Sequence, residues 1–118
     1  MPSLGLHLNG KLDAGEAAAD IGGTTIAYHA LQSGTKPAAG APAAGFTADQ
    51  RFFLNWAQVW RDKTRPQAMR AQVLGDPHPV SLYRVNATLA NEQAFYTAFS
   101  VKPGDAMYRA PEKRCSVW

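Results

Sequence analysis

Cysteine occurs once in the 118 residues, at position 115. A single thiol excludes a disulfide framework or a multi-cysteine zinc cluster built from this chain alone. Cys115 is either a free thiol or one half of a bridge to another segment. Charge is scarce too: 12 Lys and Arg against 9 Asp and Glu leave +3, too little and too scattered for a nucleic-acid surface. No apolar run approaches the roughly 20 residues that span a bilayer. The opening residues, Met1-Pro2-Ser3-Leu4-Gly5-Leu6-His7, lack the basic flank and apolar stretch of a signal peptide. HExxH is missing as well, and with it the usual helical pair of zinc-binding histidines and their general-base glutamate. The length allows one ordinary domain or less.

The hydrophobic fraction is 46%, but 21 of those residues are alanines, which bury little area each. The core must therefore come from 5 Phe, 4 Tyr and 3 Trp, with a modest set of Leu, Ile, Val and Met. Residues 34–45, GTKPAAGAPAAG, can neither bury a face nor carry a helix through Pro37 and Pro42. They read as a surface loop dividing the chain.

Before the loop, Asp13 as cap and Glu16 at the third helical position suggest a capping box, with the helix running over 13–31. Gly22-Gly23 inside it costs up to about 1 kcal/mol per glycine and is tolerated where another backbone comes close. After the loop, Thr47 and Gln50 form a second capping box, and Phe53, Trp56, Ala57 and Trp60 follow at helical spacing as core. Pro66 begins a third helix that Gly75 closes. Asp76-Pro77-His78-Pro79 leads into an extended piece through Arg84-Val85-Asn86. Asn91 caps a last short helix with Phe95 and Phe99 one turn apart, and an irregular tail follows from Lys102. The expected class is mainly α, with about four helices and long irregular loops.

Glu16 and Asp20 stand four apart on one helix, so both carboxylates leave the same face. Like charges at that spacing disfavour a helix by roughly 0.2–0.5 kcal/mol, a local cost without local gain. Glu16 can serve as a zinc ligand and Asp20 as an acceptor orienting a ligating imidazole. The plainer reading makes Glu16 part of a cap and Asp20 a solvated charge. The histidines fall at 7, 29 and 78 with no pair four apart; His29, after Tyr28, reads as half-buried and structural. His78, in its proline-bracketed loop beside Asp76, and Arg84 can stabilise an oxyanion and hold a carbonyl. An exposed turn histidine and an ordinary ion pair are the alternative.

The stretches GLHLNGKLDAGEAAADIGG (5–23), GFTADQRFFLNWAQVWR (45–61), DPHPVSLYRVN (76–86), KPGDAMYR (102–109) and RCSVW (114–118) cover nearly the whole chain. Taken in this order, they resemble the C-terminal end of the neprilysin-like zinc metallopeptidases, which include endothelin-converting enzymes and bacterial oligopeptidases. The resemblance implies the C-terminal part of a gluzincin catalytic domain. Residues 1–118 would then be one partial peptidase domain: an ExxxD helix (13–31), a loop (32–46), then helices, substrate-contact loop and tail (47–118).

It also implies roles. Glu16 would be the third zinc ligand and Asp20 the partner of a zinc-bound histidine. His78 would stabilise the tetrahedral transition state, and Arg84 would grip a substrate backbone carbonyl. The cofactor would be zinc in the intact enzyme, with none bound tightly by this chain alone. The partners would be peptide substrates and the missing N-terminal part of the same enzyme, but not nucleic acid. The parent would be secreted, periplasmic or membrane-anchored facing outside. Without HExxH, the chain alone is expected to be inactive. The alternative is a free-standing helical module that binds peptides through Arg84.

Overall fold

A computed structural model of the chain describes residues 5–34 and 45–117. They form five α-helices: α1 Gly10–Ser33, α2 Ala48–Val59, α3 Pro66–Gly75, α4 Ser81–Leu89 and α5 Gln93–Phe99. A 3-10 turn at Pro111–Lys113 follows, and no β-strand occurs among the described residues. The mainly α class is as expected, with one helix more. Most of the Ala/Pro/Gly loop, 35–44, lies outside the described residues.

The first helix starts a turn earlier than Asp13. Asn9 is its cap, with Oδ1 accepting the Lys11 N–H at 3.2 Å. Asparagine caps as well as aspartate does, so the earlier signal takes the helix start. Asp13 consequently sits inside the helix and is buried, together with Asp20, Ile21, Gly22 and Thr24. This face packs on α4. Gly22 is buried, but a Cβ on Gly23 would meet nothing within 4 Å. The close backbone approach expected of the pair is therefore absent at Gly23.

The second helix is as read. Thr47 Oγ1 accepts the Gln50 N–H at 3.1 Å, and Gln50 Oε1 accepts the Thr47 N–H at 3.0 Å. Its Phe53, only 1% exposed, centres the core with Leu89, Phe95 and Tyr96. Phe53 stacks on Tyr28 of α1 at 5.4 Å and meets Phe95 of α5 edge-on at 5.7 Å. Three helices thus close on one aromatic side chain. Phe95 and Phe99 pair at 5.1 Å, as their spacing predicts.

The extended reading of Arg84-Val85-Asn86 is corrected: these residues lie within α4. Val80 is the cap but has no capping side chain, and nine residues are too few to hold a helix by propensity alone. Packing against α1 and α2 supplies what local signals lack; Trp56 Nε1–H also donates to the Arg84 carbonyl at 3.2 Å. Asn91 is likewise not the cap of α5. That position belongs to Glu92, while Asn91 donates to the Ala87 carbonyl at 2.6 Å. The left-handed Ser100 (φ 54°) ends α5. The tail then folds back onto Tyr96, whose hydroxyl donates to the Ala90 carbonyl at 2.8 Å and accepts the Arg109 N–H at 2.8 Å.

Candidate functional site

Two turns into α1, Glu16 and Asp20 face α4 across a junction that brings together residues more than 60 positions apart. Arg84 Nε–H donates to Asp20 Oδ2 at 2.7 Å and Nη2–H to Asp20 Oδ1 at 2.6 Å. The same Nη2 reaches Glu16 Oε2 at 3.2 Å. The Arg84 and Asp20 side chains are only 13% and 7% exposed, whereas Glu16 keeps 34% of its side chain open. The like-charge cost of the Glu16–Asp20 spacing is offset here by a guanidinium between the two carboxylates. Asp20 is accordingly no solvated surface charge. Arg84 holds its proton even more firmly than usual, first because of its hydrogen bonds to Asp20 and against the effect of its burial.

His78 approaches from the other side, with Nε2 3.6 Å from Glu16 Oε1. Its loop is set by Asp76, whose Oδ1 accepts both the His78 backbone N–H at 2.8 Å and, at 2.7 Å, the ring Nδ1–H. An aspartate bonding the amide two residues on is an Asx turn, which aims the imidazole at Glu16. These bonds, the backbone one foremost, hold the Asp76 carboxyl below the usual range. Gln72 Nε2–H secures the loop from α3 by donating to the His78 carbonyl at 3.1 Å.

All four residues expected from the sequence therefore converge: Glu16, Asp20, His78 and Arg84. Two further members were not expected. Asp76 orients His78, and its signal is present in the Asp-x-His spacing. The Trp60 ring lies 4.1 Å from the Arg84 guanidinium carbon, a contact no local pattern shows. His29 is exposed rather than half-buried, and His7 is also exposed and outside the cluster. Cys115 is an exposed free thiol among the described residues.

As a zinc donor set the cluster is partial. Glu16 suits one position, but no group of three His, Cys, Asp or Glu among the described residues is placed to hold a metal.

The model of Peptidase family M13 matches residues 1–115, and the chain belongs to that family. It is 40% identical to Neprilysin-3 of Drosophila melanogaster over 119 aligned residues, covering 97% of this chain. It is 37% identical to Endothelin-converting enzyme 1 of Mus musculus over 117, again covering 97% of this chain. The chain spans about 15% of the length of each of these relatives. Among solved structures it matches the Mycobacterium tuberculosis zinc metalloprotease ZMP1 in its open state. There the TM-score is 0.89 at 36% identity, over 95% of this chain and 17% of the other.

Proposed function

We propose that this chain is the C-terminal portion of a zinc-dependent metallopeptidase and supplies that enzyme with its third metal ligand and two substrate-facing groups. The observation that supports this best is the way Arg84 is held. Its Nε and Nη2 hydrogens are committed to Asp20 and Glu16, and a guanidinium has two more on Nη1. Those remaining hydrogens are suited to a peptide carbonyl oxygen, presented by a side chain that Trp60 and Asp20 prevent from swinging.

Glu16 is the residue assigned to zinc. Bound zinc would supply a Lewis acid and a water acidified to near neutrality. Asp20, beside Glu16, would take the N–H of a ligating imidazole while remaining paired with Arg84. His78 would face the oxyanion. With Nδ1–H spent on Asp76, its Nε2 donates only when the ring is doubly protonated.

A catalytic zinc site of this type needs three protein ligands. The 118 residues contain no HExxH, so this chain alone should not hydrolyse peptides. Turnover of a quenched peptide by the purified chain with added zinc, abolished by a chelator, would overturn that. In the intact polypeptide, Glu16→Ala should release the bound zinc, measured by elemental analysis; full zinc occupancy in that variant would reject the ligand assignment. The intact protein is proposed to work outside the cytoplasm, secreted, periplasmic or anchored. No helix among the described residues is itself long and apolar enough to cross a membrane.

A further inference from the structure

Away from the Glu16–Arg84 cluster, the carboxyl of Glu92 is buried with no cation bonded to it among the described residues. Glu92 occupies the cap position of α5, yet its side chain makes no capping bond. It turns across to α1 instead and is only 7% exposed. There Thr25 Oγ1 lies 2.6 Å from Glu92 Oε1 and 2.9 Å from the Ile21 carbonyl oxygen.

A threonine hydroxyl has one hydrogen to give. With Glu92 ionised, both neighbours of that hydroxyl are acceptors, and one of the two short contacts has no hydrogen in it. With Glu92 protonated, its O–H donates to Thr25 Oγ1 and Thr25 donates onward to Ile21. Both contacts are then hydrogen bonds, aligned so that each strengthens the other.

The surroundings favour the neutral acid. On α1, His29 attracts the charged form through space, but it is exposed and makes no bond to Glu92; Tyr28 answers to Asp49. On α5, the first amides bond the main-chain oxygen of Glu92, Phe95 N–H at 3.1 Å and Tyr96 N–H at 3.4 Å. From the tail, Arg114 is already committed. Its Nε–H donates to the Arg109 carbonyl, its Nη1–H to Gln93 Oε1, and its guanidinium covers the Tyr96 ring at 3.8 Å. Cys115, nearby in the same cleft, is exposed. Burial accordingly raises the Glu92 carboxyl above its ordinary 4.5, outweighing Thr25 and His29.

We infer that protonated Glu92, bonded through Thr25 to Ile21, is an acid-closed latch tying the start of α5 to the helix that carries Glu16 and Asp20. Loss of the proton leaves a buried charge with no cation bonded to it. Relief comes when the carboxylate leaves Thr25 for water in the cleft that Glu92 lines, which breaks the tie between α5 and α1. Rising pH should therefore loosen the mounting of α1. This stands whether or not the peptidase reading does, because it concerns only contacts inside the chain.

The test is urea unfolding of the 118-residue chain between pH 4 and pH 8, for wild type, Glu92→Gln and Thr25→Val. Because the folded carboxyl titrates above its unfolded value, its contribution is complete below 4.5 and lost as pH rises through the folded value. The folding constant of wild type relative to Glu92→Gln should fall about tenfold for each pH unit that Glu92 titrates above 4.5. Thr25→Val should lower stability more at pH 5 than at pH 8. An unchanged difference between wild type and Glu92→Gln across the range would overturn the latch. Should that variant not fold, carboxyl-carbon NMR of wild-type Glu92 decides: a midpoint above 4.5 is expected, and one at or below it rejects the idea.

Discussion

Arg84 and Asp20 form a two-bond, fork-to-fork ion pair, at 2.7 and 2.6 Å, between the fourth residue of α4 and the middle of α1. Both side chains are largely removed from water, so the pair is structural as well as a candidate for function. It is the principal polar tie across the α1–α4 junction.

Breaking that pair from one side should be severe. Arg84→Ala leaves Asp20 buried and uncompensated, at an expected cost of about 3–5 kcal/mol. Urea titration would show it as a lower midpoint or as loss of cooperative folding. Arg84→Met combined with Asp20→Asn should cost less than the two single changes added together. Trp60→Leu should couple to Arg84→Met by about 1–2 kcal/mol in a double-mutant cycle, the value of a largely desolvated cation–π contact.

Asp13 should be a liability. It is 6% exposed, its Oδ2 has no hydrogen-bond partner, and burial, followed by the nearby Asp76, raises its carboxyl above 3.8. A carboxyl raised on folding contributes most below its unfolded value, and that contribution is lost as pH rises. Asp13→Ala is therefore expected to stabilise the chain at pH 7 by about 1 kcal/mol, from the desolvation cost of an unpaired polar group. The gain should shrink towards pH 3.5. A destabilised variant at pH 7 would show that Asp13 has a bonding role.

Asp76 carries the opposite sign. Its carboxyl is lowered by the His78 backbone N–H and ring, so its contribution is present above 3.8 and lost as pH falls through the depressed folded value. Proton-detected NMR of the imidazole checks this directly. The His78 Nδ1–H signal should vanish on acidification below that value and be absent at all pH in Asp76→Ala, while the aromatic core signals of Phe53 and Phe95 stay unchanged.

Several large apolar side chains face outward: Val59 at 68% exposed, Leu74 at 63%, Leu82 at 57% and Ile26 at 56%. Exposed apolar side chains of this size favour association over a solvated monomer. The purified 118 residues should therefore associate, with a weight-average mass that rises with concentration in sedimentation equilibrium. Replacing Val59 and Leu74 together by Lys should suppress it.

Much of the architecture is legible in local sequence signals. The Thr47–Gln50 box lies within four residues, and the Phe53, Phe95 and Phe99 spacings are helical repeats that the core uses as read. The start of α1 is harder to place because two good caps compete, Asn9 and Asp13, and only packing of the Asp13 face on α4 goes with the earlier one. The α4 helix escapes sequence reading for a related reason. It follows two prolines, has no capping side chain and contains Val85, so every nearby cue points to extended chain. Its helicity rests on burial against α1 and α2, which no window of nine residues contains.

By itself the sequence determined the chemistry available: two carboxylates on one helical face, a histidine in a proline-bracketed loop, an arginine further along, and no HExxH pair. Tertiary structure decided how these groups are used. Arg84 meets Asp20 across 64 positions, Asp76 and Trp60 hold the histidine and the arginine, and Glu92 turns from its own helix to Thr25. The physical reason is the same each time. Capping and periodicity act within one or two turns, whereas pairing and burial depend on which distant surfaces the aromatic core draws together.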